Sequence, residues 1–268
     1  MTDIAATSFS QAPERAPTAI SLGDVFSRSM RLFASRWPTY CGLALVGYVP
    51  FAGAGAMNLP GVSQRLPTVL RDDLTDVNSA VLVGAIVVVG LAAFAWALLA
   101  WVAGYALVSH DIAGSRLSVG QALGAALRRS PAVVGLTILG GLAGLFASLL
   151  FLIPGVIVFC MFAVAIPACL IERLGPVKSL SRSAYLTKGN RWRVLGLILA
   201  LVFGVGIVCQ LLLRLADFMA GPSVALLLDL PVQAVSGALG TVVTAALYFQ
   251  LRAAREGVAI EQIARVFD

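Results

Sequence analysis

The sequence predicts an all-α fold, a polytopic membrane bundle of six transmembrane helices with amphipathic elbow helices on the cytoplasmic side. Three observations carry this. Of the 268 residues, 59% are hydrophobic and 12% charged, with a mean hydropathy of +0.94, too apolar for a soluble globular domain. Several apolar runs reach the roughly 20 residues that span a hydrocarbon core of about 30 Å. Those runs are continuous rather than alternating, which selects helices over a barrel, because lipid offers the backbone no hydrogen-bond partner.

Residues 1–20 are rich in Ala, Ser, Thr and Pro. They lack a positively charged start and an apolar centre, so they read as a disordered cytoplasmic tail, not a signal peptide. Ser21 and Asp24 form an acidic variant of the capping box. The helix they open sets Leu22, Val25, Phe26, Met30 and Phe33 against Arg28, Arg31 and Ser35, as an interfacial helix does. The membrane domain is placed at 21–255. Its first span covers about 37–57, beginning at Trp37-Pro38, and a polar stretch with Asp72, Asp73 and Asp76 separates it from the second, at about 80–108.

A second elbow spans 109–130, where Ser118 and Gln121 have the S-x-x-Q spacing of a capping box. Pro131 opens the third span (131–153), and Ile153-Pro154-Gly155 turns it directly into the fourth (155–170), making an antiparallel hairpin. The third elbow, Arg173–Arg193, is the longest polar run of the second half. The fifth span (194–213) is separated from the sixth (231–250) by a short stretch holding Arg214, Asp217 and Asp229. Residues 256–268 form a C-terminal amphipathic segment with Ile260, Ile263 and Phe267 on one face.

Charge sets the orientation. With both termini cytoplasmic, Arg65, Arg71 and Arg214 lie outside, and the other sixteen of the nineteen Lys and Arg residues lie inside, a strong positive-inside asymmetry. The net charge of +6 is thus a topology signal. Basic residues at span ends, without reading or stacking groups, give no nucleic-acid interface. Cys41, Cys160, Cys169 and Cys209 all fall in apolar runs without CxxC spacing, as small hydrophobes do.

The elbows also resemble one another. Phe26-Ser-Arg-Ser-Met-Arg-Leu-Phe33 aligns with Leu180-Ser-Arg-Ser-Ala-Tyr-Leu-Thr187, and Arg36-Trp37 with Arg191-Trp192. Three units of elbow, span, span are one reading, a threefold parallel repeat. Shared membrane-protein composition is the other.

Residues 170–196 (LIERLGPVKSLSRSAYLTKGNRWRVLG), the Ile153-Pro-Gly155 turn and the Ser21-Leu-Gly-Asp-Val-Phe26 opening resemble a bacterial membrane domain. That domain lies beside the catalytic barrel of some glycerophosphoryl diester phosphodiesterases and also stands alone. The resemblance implies a bacterial inner-membrane protein without that barrel and brings no reaction with it.

No enzyme, metal or cofactor is expected. The single histidine, His110, adjoins Asp111 at the end of the second span, where a capping or interfacial pair is the simpler reading, and no G-x-S-x-G, H-E-x-x-H or Walker A motif occurs. Ion-coupled transport lacks mid-depth ionisable groups; Gln210, Gln233 and Ser236 are explained by interhelical hydrogen bonds. The leading reading is a non-enzymatic protein binding anionic phospholipid headgroups through Lys178, Arg182, Lys188, Arg191, Trp192 and Arg193, in lipid or envelope homeostasis. The alternatives are a lipid or small-molecule transporter, and an assembly scaffold. Small residues at spacing four (Gly140/Gly144, Gly196/Ala200/Gly204, Ser236/Gly240/Thr244) pack the bundle or leave a face for a second copy or a membrane-protein partner.

Overall fold

The structure, a computed structural model, describes residues 22–51, 79–150 and 152–256. Ser21, the polar stretch 58–78 and the segment 257–268 therefore lie outside the described residues, as do the tail 1–20 and the end of the expected first span. Among the described residues every regular element is helical: α1 (Leu22–Tyr48) with a 3₁₀ turn (Val49–Phe51), α2 (Ser79–Ile112), α3 (Val119–Leu150), α4 (Leu152–Phe162), α5 (Ala165–Ile171), α6 (Pro176–Thr187), α7 (Arg191–Leu199), a π-helical stretch (Ala200–Val205), α8 (Gly206–Ala220) and α9 (Pro222–Glu256).

Five helical segments are long and apolar enough to cross a membrane: Gly84–Ile112, Val119–Leu149, Pro154–Ile171, Arg191–Ala220 and Pro222–Glu256. Their outer faces are apolar and uncovered. Val89 is 68% exposed, Leu149 72% and Phe218 88%, a surface that water would not tolerate and acyl chains would. The chain is built as a multi-pass membrane protein.

Local chemistry explains most boundaries. Gln121 N–H donates to Ser118 Oγ at 3.3 Å and Ser118 N–H to Gln121 Oε1 at 3.0 Å, so the reciprocal capping box forms as its spacing predicts. From it α3 runs unbroken through Pro131; the second elbow and third span are one helix, not two elements. α1 likewise continues past Pro38, but with a kink at Arg36 (φ −140°, ψ 30°), where the interfacial helix was expected to give way to a span. A Cβ on Gly155 would collide with Ser148, so glycine allows the close α3–α4 hairpin.

Arg214, Asp217 and Asp229, of the short stretch expected between the fifth and sixth spans, all sit on helices. α8 continues to Ala220, α9 begins at Pro222, and Gly221 alone, at φ +87°, reverses the chain in a conformation that side chains resist. At 1.5 Å per residue the 35 residues of α9 measure about 52 Å, longer than the hydrocarbon core, so helix persists where polarity begins. The fourth expected span falls within the crossing segment Pro154–Ile171, which turns at Ala163-Val164 between α4 and α5.

α1, α2 and α9 pack together, with α3 and α5 against α2 and with α8 against α9. The core is made of small and β-branched residues, among them Ala44, Val102, Ala103, Ala126, Ala234, Ala238, Val242 and Ala245. A second cluster joins Val25, Cys160, Val164, Leu186, Val194 and Tyr248. The predicted small-residue rows contribute unevenly. Gly140 and Gly240 meet Leu180 and Leu201, whereas Gly144 and Gly204 face open space. Cys160 and Cys169 are buried, Cys41 and Cys209 partly so, and all four are free thiols.

Candidate functional site: a basic end with an open cavity

Kink, elbows and helix ends converge at one end of the bundle. There two polar networks lock helices together. Asp111, near the end of α2, accepts hydrogen bonds from Arg36 Nη1 at 2.6 Å and Tyr40 Oη at 2.5 Å. Arg36 also donates to Leu117 O at 3.4 Å. The carboxylate is thereby committed to α1, while the neighbouring His110 places Nδ1 2.9 Å from Ser115 Oγ.

The second network is centred on Arg182 of α6. Its Nε donates to both Glu172 oxygens at 2.8 Å, and its Nη2 to Glu256. Tyr248 Oη donates to Glu172 Oε1 at 2.8 Å, and Arg252 Nε to Glu256 Oε2 at 2.8 Å. Burial alone would lower the pKa of the Arg182 guanidinium. The hydrogen bonds and charges of Glu172 and Glu256 outweigh that and hold it above its ordinary value. Buried Ser183 adds a bond to Met161 O at 2.7 Å, so α6 is fastened to α4 as well.

The headgroup residues expected from sequence therefore separate into two groups. Arg182 faces two carboxylates inside the protein. Lys178, Lys188, Trp192 and Arg193 are exposed, Trp192 at 82%. Arg191 sits between these groups, half-buried, with an Nε that finds no hydrogen-bond partner. Gly189, at φ +87°, makes the turn that ends α6 and starts α7, as the Gly189-Asn190 pair suggests. Arg255 reaches back to Lys188 O and lies 5.4 Å from the Tyr185 ring centroid, with Arg182 at 5.8 Å.

A second group of basic residues at this end lines a cavity. An open cavity of about 550 Å³ between the ends of α2 and α5 and the third turn of α3 is lined by Ser109, His110, Arg128, Arg129 and Arg173, together with Ala106, Ala125, Leu170 and Ile171. No carboxylate is among these wall residues. Arg129 Nη1 donates to Arg173 O at 3.4 Å. Arg173 itself is the non-glycine residue with positive φ (+53°) among the described residues, a conformation costing on the order of 1 kcal/mol. It holds the corner between α5 and α6 and delivers its side chain to the cavity wall. The three arginines were legible as span-end charges. Their convergence was not, because it depends on which turn of α3 packs beside the end of α5.

Among the described residues no three His, Cys, Asp or Glu side chains group as a metal site. The wall can instead hold an anion, since guanidinium forks pair with phosphate or carboxylate oxygens. Ser109 Oγ already donates to Tyr105 O at 2.6 Å and His110 Nδ1 lies 2.9 Å from Ser115 Oγ, so the arginines carry the anion-binding capacity of the wall.

Neither the curated proteins nor the solved structures contain a match to this chain. One family model matches residues 64–254, from before α2 almost to the end of α9 and including the whole basic cavity; its description is Domain of unknown function. The chain belongs to this DUF7847 family.

Proposed function

We propose that this is a non-enzymatic inner-membrane protein that holds the headgroup of an anionic phospholipid at its cytoplasmic face and serves lipid or envelope homeostasis. The observation that carries this is the cavity lined by Arg128, Arg129 and Arg173 without an opposing carboxylate. Its apolar lining of Ala106, Leu170 and Ile171 suits the glycerol end of a lipid, and its arginines suit the phosphate. Exposed Lys178, Lys188, Arg193 and Trp192 extend the basic surface from the cavity to the surrounding leaflet. Arg182 is a positioning residue in this reading, because it fixes α6 rather than meeting lipid.

The topology proposed with it has six spans and cytoplasmic termini. The first span, added to the five apolar segments, is the part of α1 after the Arg36 kink, continuing through the 3₁₀ turn. The three elbows are the start of α1, the start of α3, and α6. The positive-inside count and the resemblance of residues 170–196 to the phosphodiesterase-associated membrane domain support this reading. The aligned residues Ser29 and Ser183 are both fully buried, in keeping with a repeat. They bond differently, however, Ser29 to Val25 O of its own helix and Ser183 across to α4.

The test is lipid identification by mass spectrometry on protein extracted in native nanodiscs. Wild type is expected to retain one anionic phospholipid above its bulk fraction. Replacing Arg128, Arg129 and Arg173 together with Gln is expected to return that lipid to the bulk fraction. Equal retention by both proteins would end the proposal.

A further inference from the structure

We propose that a second cavity, at the end of the bundle opposite the basic one, binds an organic ammonium cation. It measures about 480 Å³ and lies between α1, α2 and α9. Four aromatic rings, those of Tyr48, Phe51, Phe94 and Trp101, line it together with Asp229 and Gln233. Asp229 makes no hydrogen bond or ion pair with any described residue, and no Lys or Arg is among the described wall residues. A carboxylate facing aromatic rings presents negative potential from every polar and π surface, which suits a cation. One carboxylate and an amide among rings are too few hard ligands for a metal. A bulky, weakly hydrated ammonium fits instead.

The walls are built rather than incidental. Pro50 has no N–H to offer the carbonyl of Val46, four residues earlier, and Trp96 Nε1 donates to that carbonyl at 2.7 Å instead. This pins the end of α1 to α2 beside the cavity. A Cβ on Gly47 would come 2.8 Å from Ala100 Cβ, and one on Gly237 would come 2.8 Å from Tyr48 Oη. Glycine at these two positions lets α1 lie against α2 and the Tyr48 ring lie flat on α9.

Depth identifies the occupant further. Asp229 and Tyr248 are nineteen residues apart on α9, about 28 Å along the axis, which is close to one hydrocarbon thickness. Tyr248 belongs to the basic-end network, so Asp229 stands at the opposite membrane boundary with the rings on its lipid side. The next void between the same helices, around Tyr40, Trp101, Gly104 and Thr241, has only about 10 Å³, room for about one water. Past Trp101 the space between these helices narrows to that small void. The ligand of the larger cavity therefore carries an ammonium group at the boundary and an apolar body beneath, either an ammonium lipid headgroup of that leaflet or a free hydrophobic amine.

The probe is phenyltrimethylammonium, titrated calorimetrically into the full chain in dodecyl maltoside micelles, with benzenesulfonate as the anionic control. Saturable binding of one cation per chain is expected, with no binding of the control. At least tenfold weaker binding is expected for Asp229→Asn, which preserves shape, and severalfold weaker binding for Phe94→Leu. Added phosphatidylcholine that competes with the probe would identify a lipid headgroup as the natural source. Absence of competition would identify a free amine. Failure of wild type to bind, or equal affinity in Asp229→Asn, would overturn the proposal.

Discussion

Glu172 is the residue on which most of the basic end depends. It accepts from Arg182 twice and from Tyr248 once, and its side chain is only 16% exposed. Glu172→Gln keeps the shape but removes the charge and one acceptor, so an apparent stability loss of about 2–3 kcal/mol is expected, read as a lower midpoint of thermal unfolding in micelles. Tyr248→Phe removes one hydrogen bond from the same carboxylate and is expected to cost about 1 kcal/mol by the same measurement. Asp111→Asn should behave like Glu172→Gln, because Arg36 would keep a partner without a counter-charge. The sequence places Glu172 and Arg173 at a membrane edge and Arg252 four residues before Glu256. That Arg182 would spend its charge on Glu172 and Glu256 is not legible there, since Glu256 is 74 positions away. For the same reason the exposed members of the expected headgroup set were legible and the inward one was not: amphipathic spacing ranks the faces of a helix but does not say what packs on them.

At the scale of elements, hydropathy locates the hydrocarbon boundary, not the end of a helix. Arg214, Asp217 and Asp229 fall between the apolar runs because they are charged, yet they sit on α8 and α9, which continue past those runs. Glycine marks the true corner. Gly221→Val would put a branched side chain at φ +87°, ψ 170°, a region that is nearly glycine-specific. A cost of roughly 1–3 kcal/mol is expected, seen as faster proteolysis between α8 and α9. The Ser118–Gln121 capping box was legible: Ser118→Ala should cost about 1 kcal/mol, measured as early hydrogen exchange at the start of α3. The kink at Arg36 follows from Pro38 two residues on, together with the pull of Asp111 on the Arg36 side chain.

For the whole molecule, composition alone dictates helices in lipid, and the five apolar segments bear that out. What composition cannot supply is the space between helices. Both cavities arise where small residues bring some helix pairs close and leave others apart. The proposed six-span topology predicts that reporters fused before residue 1 and after residue 268 are both shielded from a protease added to the outer face of intact cells. A reporter inserted at Gly221 is expected to be cleaved. Cleavage at only one terminus would remove the expected first span, which joins the Arg36 kink to the far cavity.

The two polar networks also constrain the order in which the protein can mature. A ribosome delivers Arg36 long before Asp111, and Glu172 and Arg182 well before Tyr248 and Glu256. Arg36 has no counter-charge until Asp111 is made, whereas Glu172 and Arg182 can pair with each other before Tyr248 and Glu256 complete the network. The last turns of α9 therefore close the molecule. A chain cut short before them leaves Arg182 without Glu256 and Glu172 without Tyr248.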